Sequence, residues 1–198
     1  MLEELGSLQR SKKSADSQVD YRLTEQGQLL RHLYSELDLV LAQAIDDGAF
    51  DGLDAAELAS VVMSLIYEPR RGGGGEPRHY PGGIQGNVAV CAAQLKGVHA
   101  SIAMLCEDHA LDEMRQLDFG ITDVVYEWAQ GESLSRVLYG TDLTGGDFVR
   151  SCKRLADVLQ QIAVAGPYLG KRAETLAPIA KQAYESINRG IVAYSGVD

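Results

Sequence analysis

The chain of 198 residues is poor in cysteine, histidine and positive charge, and each shortage closes off a class of chemistry. Its three cysteines, Cys91, Cys106 and Cys152, are odd in number, far apart and set inside apolar helical patterns. Free cysteine in such places behaves as a small buried hydrophobe, so neither a disulfide framework nor thiol chemistry is expected. The four histidines supply no ligand set. His32 with Glu36, and Glu76 with His79, are isolated pairs, and two ligands do not make a metal site. Eighteen Lys and Arg against 28 Asp and Glu leave a net charge of -10, which argues against a free-standing nucleic-acid binder with a basic footprint. No apolar run is expected to approach the roughly 20 residues that span a bilayer, so no membrane partner is expected. The opening Met1-Leu2-Glu3-Glu4-Leu5-Gly6 has neither a basic nor an apolar export region, which makes the cytoplasm the expected location.

Catalytic motifs are lacking as well. The glycine-rich stretch Arg70 to Gly83 has no Gly-Lys-Ser/Thr ending and no preceding strand, so it does not cradle phosphate. It reads as a flexible connector within residues 69–86. There is no nucleophile elbow, dinucleotide fingerprint or Walker A motif, so the chain by itself is expected neither to hydrolyse ATP nor to hold a cofactor. No strand pattern of convincing length lies between residues 24 and 198, which makes the expected fold class all-α.

Helix signals are abundant. Thr24 caps a long expected helix with an apolar face at Leu29, Leu30, Leu33, Leu37, Val40, Leu41 and Ile45, stopped by Gly48. Asp54 caps a second one carrying Leu58, Val61, Val62, Leu65 and Ile66, with Pro69 beyond it. Residues 88–111 form a long alanine-rich pattern suited to the centre of a bundle, 121–130 and 133–139 read as short helices, and 171–189 closes the set. Trp128, among Ile121, Val124 and Val125, reads as core rather than as a base-stacking platform.

The most informative segment begins at Thr144. Its hydroxyl is placed to accept an orphan amide three residues on, where Asp147 also suits the helix dipole. Phe148, Cys152, Leu155, Leu159 and Ile162 then recur at steps of four and three, forming one buried stripe. Arg150, Arg154, Asp157 and Gln161 keep the same rhythm roughly 200° around the axis, so they form an outward ridge. On pattern alone this ridge is a solvated surface with an Arg154 to Asp157 ion pair at i, i+3.

The segment resembles the ratchet helix of the C-terminal helical-bundle (DSHCT) domain of large ATP-dependent RNA helicases related to the superkiller and exosome-associated enzymes. Other segments agree in order: Leu23-Thr24-Glu25-Gln26-Gly27 with Tyr34-Ser35-Glu36, Leu53-Asp54-Ala55-Ala56-Glu57-Leu58 leading to Leu65-Ile66-Tyr67-Glu68, Tyr126-x-Trp128-Ala129-x-Gly131, and Ile187-Asn188-Arg189-Gly190-Ile191-Val192. The resemblance implies a multi-helix bundle over residues 23–198 with a long central ratchet-like helix. Residues 1–22 would be the tail of a preceding winged-helix region. It implies that Arg154 and Asp157 face RNA bases, with Arg150 as a phosphate contact. Family members often carry glutamate where this chain has the shorter Asp157. The implied partners are the helicase motor domains, which would hold ATP and Mg²⁺ outside this chain, and single-stranded RNA or DNA. The rival reading is a protein-interaction bundle that recruits a partner such as a ribonuclease.

Overall fold

A computed structural model describes residues 1–10, 20–69 and 75–194. Among these, nine α-helices, two three-residue 3-10 helices (Gly166–Tyr168 and Gly170–Arg172) and one antiparallel strand pair account for the regular structure, in agreement with an all-α bundle. The strands β1 (Leu8–Arg10) and β2 (Tyr21–Leu23) pair antiparallel in the register Leu8 with Leu23 and Arg10 with Tyr21.

The expected helix from Thr24 to Asp47 is two helices, α1 (Glu25–Leu30) and α2 (Asp38–Asp47). Thr24 does cap the first, accepting from the Gly27 amide, and Gly48 does end the second at φ 80°. Between them the ladder is broken by side chains. His32 Nδ1 bonds the Gln28 carbonyl at 2.7 Å, taking the acceptor that the His32 amide would use in a continuous helix. The Tyr34 amide donates to Gln161 Oε1 at 2.7 Å instead of to its own chain segment. Leu29, Leu33, Leu37 and Leu41 remain buried throughout, so the apolar rhythm survives the break.

The centre of the bundle is α3 (Ala55–Met63). Asp54 and Glu57 cap each other reciprocally, Asp54 Oδ1 accepting from the Glu57 amide and Glu57 Oε2 from the Asp54 amide. Leu58, Ala59, Ser60, Val61, Val62 and Met63 are all fully buried, and a helix buried on every side belongs inside a core. The Ser60 hydroxyl meets its need locally by donating to the Glu57 carbonyl at 2.7 Å. Around α3 pack α4 (Asn87–Asp108), α5 (Thr122–Ala129), α7 (Gly145–Val164) and α8 (Leu176–Ile187). The four-residue α6 (Leu134–Val137) follows α5, and α9 (Gly190–Tyr194) follows α8 and touches α7.

Two expectations about α4 are overturned. It lies at the edge of the bundle rather than at its centre, with Val88, Cys91, Leu95, Ile102 and Cys106 turned inward but Val90 and Met104 exposed. Over its 22 residues it is also long and apolar enough, by length and composition alone, to cross a membrane. The connector differs as well. Residues 70–74 lie outside the described residues, but 75–86 are fastened to the bundle rather than free. The Gly75 amide donates to Asp118, Glu76 pairs with Lys96, and Arg78 pairs with Asp123.

Candidate nucleic-acid interface on helix α7

Helix α7 is a stiff bar with a defined rotation. The Thr144 hydroxyl accepts from the Asp147 amide at 3.2 Å and donates to Asp147 Oδ2 at 2.7 Å, which fixes the first turn. Phe148, Cys152, Leu155, Leu159 and Ile162 are each fully buried as the stripe requires, and α8 packs along the helix. Burial pushes the Cys152 thiol far above its ordinary range, so it stays protonated and inert.

With the stripe turned in, Arg150, Arg154 and Asp157 are exposed on the opposite face. The expected Arg154 to Asp157 ion pair does not form. Arg154 Nη2 instead reaches Glu68 Oε1 at 3.4 Å, a partner 86 positions away beyond the end of α3. Arg150 pairs within its own helix, Nη1 lying 3.4 Å from Asp147 Oδ1. Gln161, the last member of the ridge, is tied to the Tyr34 amide. Asp157 makes no ion pair or hydrogen bond among the described residues. The ridge is therefore held at Arg154 and Gln161 by segments of the first two family motifs, and open at Asp157.

Beside the ridge runs a cleft of about 840 Å³, bordered by Arg78, Arg150 and Arg154 and by Glu68, Asp142 and Asp147. Three cations against three anions make it a mixed surface rather than a basic groove. Arg78 enters it from the connector, its Nε 2.6 Å from Oδ2 of the wholly buried Asp123 and its Nη1 3.1 Å from the Tyr139 carbonyl. Glu68 belongs to a longer chain of charge. Burial alone would push its carboxyl up, but the Arg154 guanidinium beside it and the field of Arg115 oppose this, and it is held below the ordinary glutamate range. Arg115 Nε lies 3.0 Å from Glu36, and its other nitrogens donate to the Leu65 and Tyr67 carbonyls, which anchors this network to the end of α3.

A family model, the DSHCT (NUC185) domain, matches residues 20–195. The chain belongs to the DSHCT family. It is 33% identical over 183 residues to the probable helicase HelY of Mycobacterium tuberculosis and 35% identical over 187 residues to that of Mycobacterium leprae, covering 88% of this chain in each case. Superkiller complex protein 2 of Homo sapiens is 27% identical over 155 residues, which cover 75% of this chain and 12% of that protein. The chain spans about a fifth of the length of the HelY relatives it matches, 20% and 19%.

Two signatures of this DSHCT domain prove to be halves of one contact. The Trp128 indole donates to the Ile187 carbonyl at 3.0 Å, while the Arg189 guanidinium lies 3.6 Å from the Trp128 ring centroid and donates to the Trp128 and Glu132 carbonyls. Arg189 thereby joins the Gly131 amide on the Trp128 carbonyl of α5 and ties down the Glu132 carbonyl just beyond that helix. Gly190 has φ 51°, so glycine suits the turn, while an added Cβ would make only ordinary contact with the Trp128 ring at 3.6 Å. Trp128 also meets Phe148 of α7 edge to face, centroids 5.6 Å apart at 80°. It is 3% exposed, as its core reading requires, and it helps set the rotation of α7. Glu68, Arg78, Glu36 and Arg115 were not assigned to the site from sequence, because each acts on it through a partner distant along the chain. His32, considered above as a metal ligand, stacks on Tyr168 at 4.5 Å.

Proposed function

We propose that this DSHCT domain is the accessory domain of an ATP-dependent RNA helicase, with α7 acting as a strand guide past Arg154, Arg150 and Asp157. The observation that carries this reading is the pair of exposed arginines on successive turns of one rigid, capped helix beside an open cleft. Their Cα atoms are about 6 Å apart along the axis at the usual helical rise. Arginine stacks on bases and donates to phosphates, and a carboxylate such as Asp157 accepts from base amino groups, which suits single-stranded RNA, or DNA, whose bases are unstacked. The role is passive: the motor domains, with ATP and Mg²⁺, lie outside this chain and drive the strand. The mixed cleft and the net charge of -10 make strand affinity of the domain alone weak and steeply salt-dependent. The β1–β2 strand pair is, in the same reading, the tail of a winged-helix region preceding the bundle.

The test is duplex unwinding and RNA-stimulated ATPase by the helicase that carries this domain, comparing wild type with Arg154→Ala/Asp157→Ala after a circular dichroism check of the fold. Loss of unwinding with ATPase largely retained is the expected result. Unchanged unwinding refutes the strand-guiding role.

A second surface supports a docking role beside the first. Val90, Ala93, Gly97, Ala100 and Met104 lie along the outer side of α4 at steps of three and four, all exposed and none charged. Extended apolar patches of this kind mark contact surfaces. The motor domains are the occupant that fits the reading above, with a ribonuclease as the rival. A Val90→Glu/Met104→Glu variant that folds but neither uncouples ATPase from unwinding nor loses partner binding removes this role from α4.

A further inference from the structure

Glu68 takes the place beside Arg154 that helical spacing gives to Asp157. It supplies the carboxylate that holds Arg154, whereas Asp157 makes no ion pair or hydrogen bond among the described residues. The contact is single, 3.4 Å long, and made between side chains that are each 46% exposed, which is the geometry of a releasable pair. Pro69 follows immediately and confines the Glu68 backbone to extended conformations, so the carboxylate is presented from a fixed base. The Arg115 guanidinium, anchored to the Leu65 and Tyr67 carbonyls and paired to Glu36, also acts on Glu68 by its charge. If Arg154 swings away, Glu68 keeps the field of Arg115 and stays at the cleft wall. The two arrangements differ by little more than the fate of one guanidinium.

We propose that Glu68 is a latch on the strand-guiding site, a counter-ion that an RNA phosphate must displace from Arg154 before the strand engages α7. This inference rests on the strand-guiding reading above. It assigns to Glu68 the setting of how tightly, and at what salt concentration, the domain holds a strand. Release of the latch requires a phosphate to out-compete a carboxylate for the same guanidinium, so neutral single strands and isolated bases do not open it. A carboxylate facing the cleft also disfavours a second phosphate there once the strand has moved on, which suits a guide that must hold weakly.

The test is a double-mutant cycle on this chain, read by fluorescence anisotropy with a labelled oligouridine at low ionic strength. Arg154→Ala should weaken binding several-fold. Glu68→Gln should tighten it about three-fold, the scale of an exposed ion pair, and should change it by less than about 1.5-fold when Arg154 is already alanine. Asp46→Asn, exposed on α2 and not bordering the cleft, serves as the control for bulk charge and should act equally with and without Arg154. Equal tightening by Glu68→Gln in both backgrounds, or none in the wild-type background, overturns the latch while Arg154→Ala still upholds the guide. An Arg154→Ala protein that binds like wild type overturns the guide and the latch together.

Discussion

Arg189 allows a sharp test of how α7 is held in register. Its guanidinium holds the Trp128 carbonyl in the last turn of α5 and the Glu132 carbonyl beyond it, and lies over the Trp128 ring, which in turn abuts Phe148 of α7. Replacing it by methionine keeps an apolar stem over the indole but removes the charge and the donors. A cation over a tryptophan face contributes about 1 to 2 kcal/mol when partly desolvated. Losing hydrogen bonds from a charged donor to buried carbonyls costs about 1.5 to 3 kcal/mol more. A combined loss of about 3 kcal/mol lowers the melting temperature of a domain this size by about 6 to 12 °C. Arg189→Lys, which keeps the charge but not the fork, should fall between methionine and wild type. The assay is thermal unfolding followed by far-ultraviolet circular dichroism and by fluorescence, for which the single Trp128 is its own reporter. A methionine variant that melts within about 2 °C of wild type would refute the view that the two signatures are energetically one contact.

Two further outcomes follow from buried and paired ionisable groups. Burial pushes the Cys91 thiol up to about 12 and Cys152 higher still, and Cys106 is buried too. Ellman's reagent should therefore label none of the three in the native protein and all of them in denaturant, and rapid native labelling of Cys152 would show the inner face of α7 to be wrongly placed. Hydrogen bonds from Lys96 and then Tyr80 hold the Glu76 carboxyl below its ordinary 4.5, and a lowered acid pKa stabilises the fold above that value and loses the effect as pH falls through the folded one. The pair is about half exposed, so Glu76→Gln should melt only about 1 to 3 °C below wild type at neutral pH and converge with it near pH 3. A gap that persists undiminished in acid means the anchoring of the connector does not depend on this charge.

The sequence was most legible where local rules agree. In α7 the Thr144 cap, the stripe at steps of three and four and the charged ridge all specify one helix with one rotation, and the structure keeps all three. The split between α1 and α2 was not legible, because leucines four apart are buried equally by a continuous helix and by two helices joined through Leu33 and Leu37. What breaks the helix is His32 competing for a carbonyl and Gln161 capturing the Tyr34 amide from 127 positions away. The placing of α4 failed for a different reason. Length suggested the centre, yet the helix buried over nearly all its residues is the nine-residue α3, and that is the one the core encloses.

The ridge shows the same division between local and distant information. Periodicity fixes that Arg150, Arg154 and Asp157 face outward, since the stripe behind them leaves no other rotation. Periodicity also favours an Arg154 to Asp157 pair, because i, i+3 neighbours are within reach on a helix surface. The outcome is decided instead by competition, and Glu68 wins Arg154. Asp157 is thereby left without an ion pair among the described residues, on the surface next to an arginine whose own carboxylate comes from beyond the end of α3. An arginine clamped by a distant segment responds to movements of that segment, whereas one paired within its own helix does not. Arg150, paired to Asp147 one turn before it, is of the second kind, so the two cations of the ridge answer to different parts of the fold.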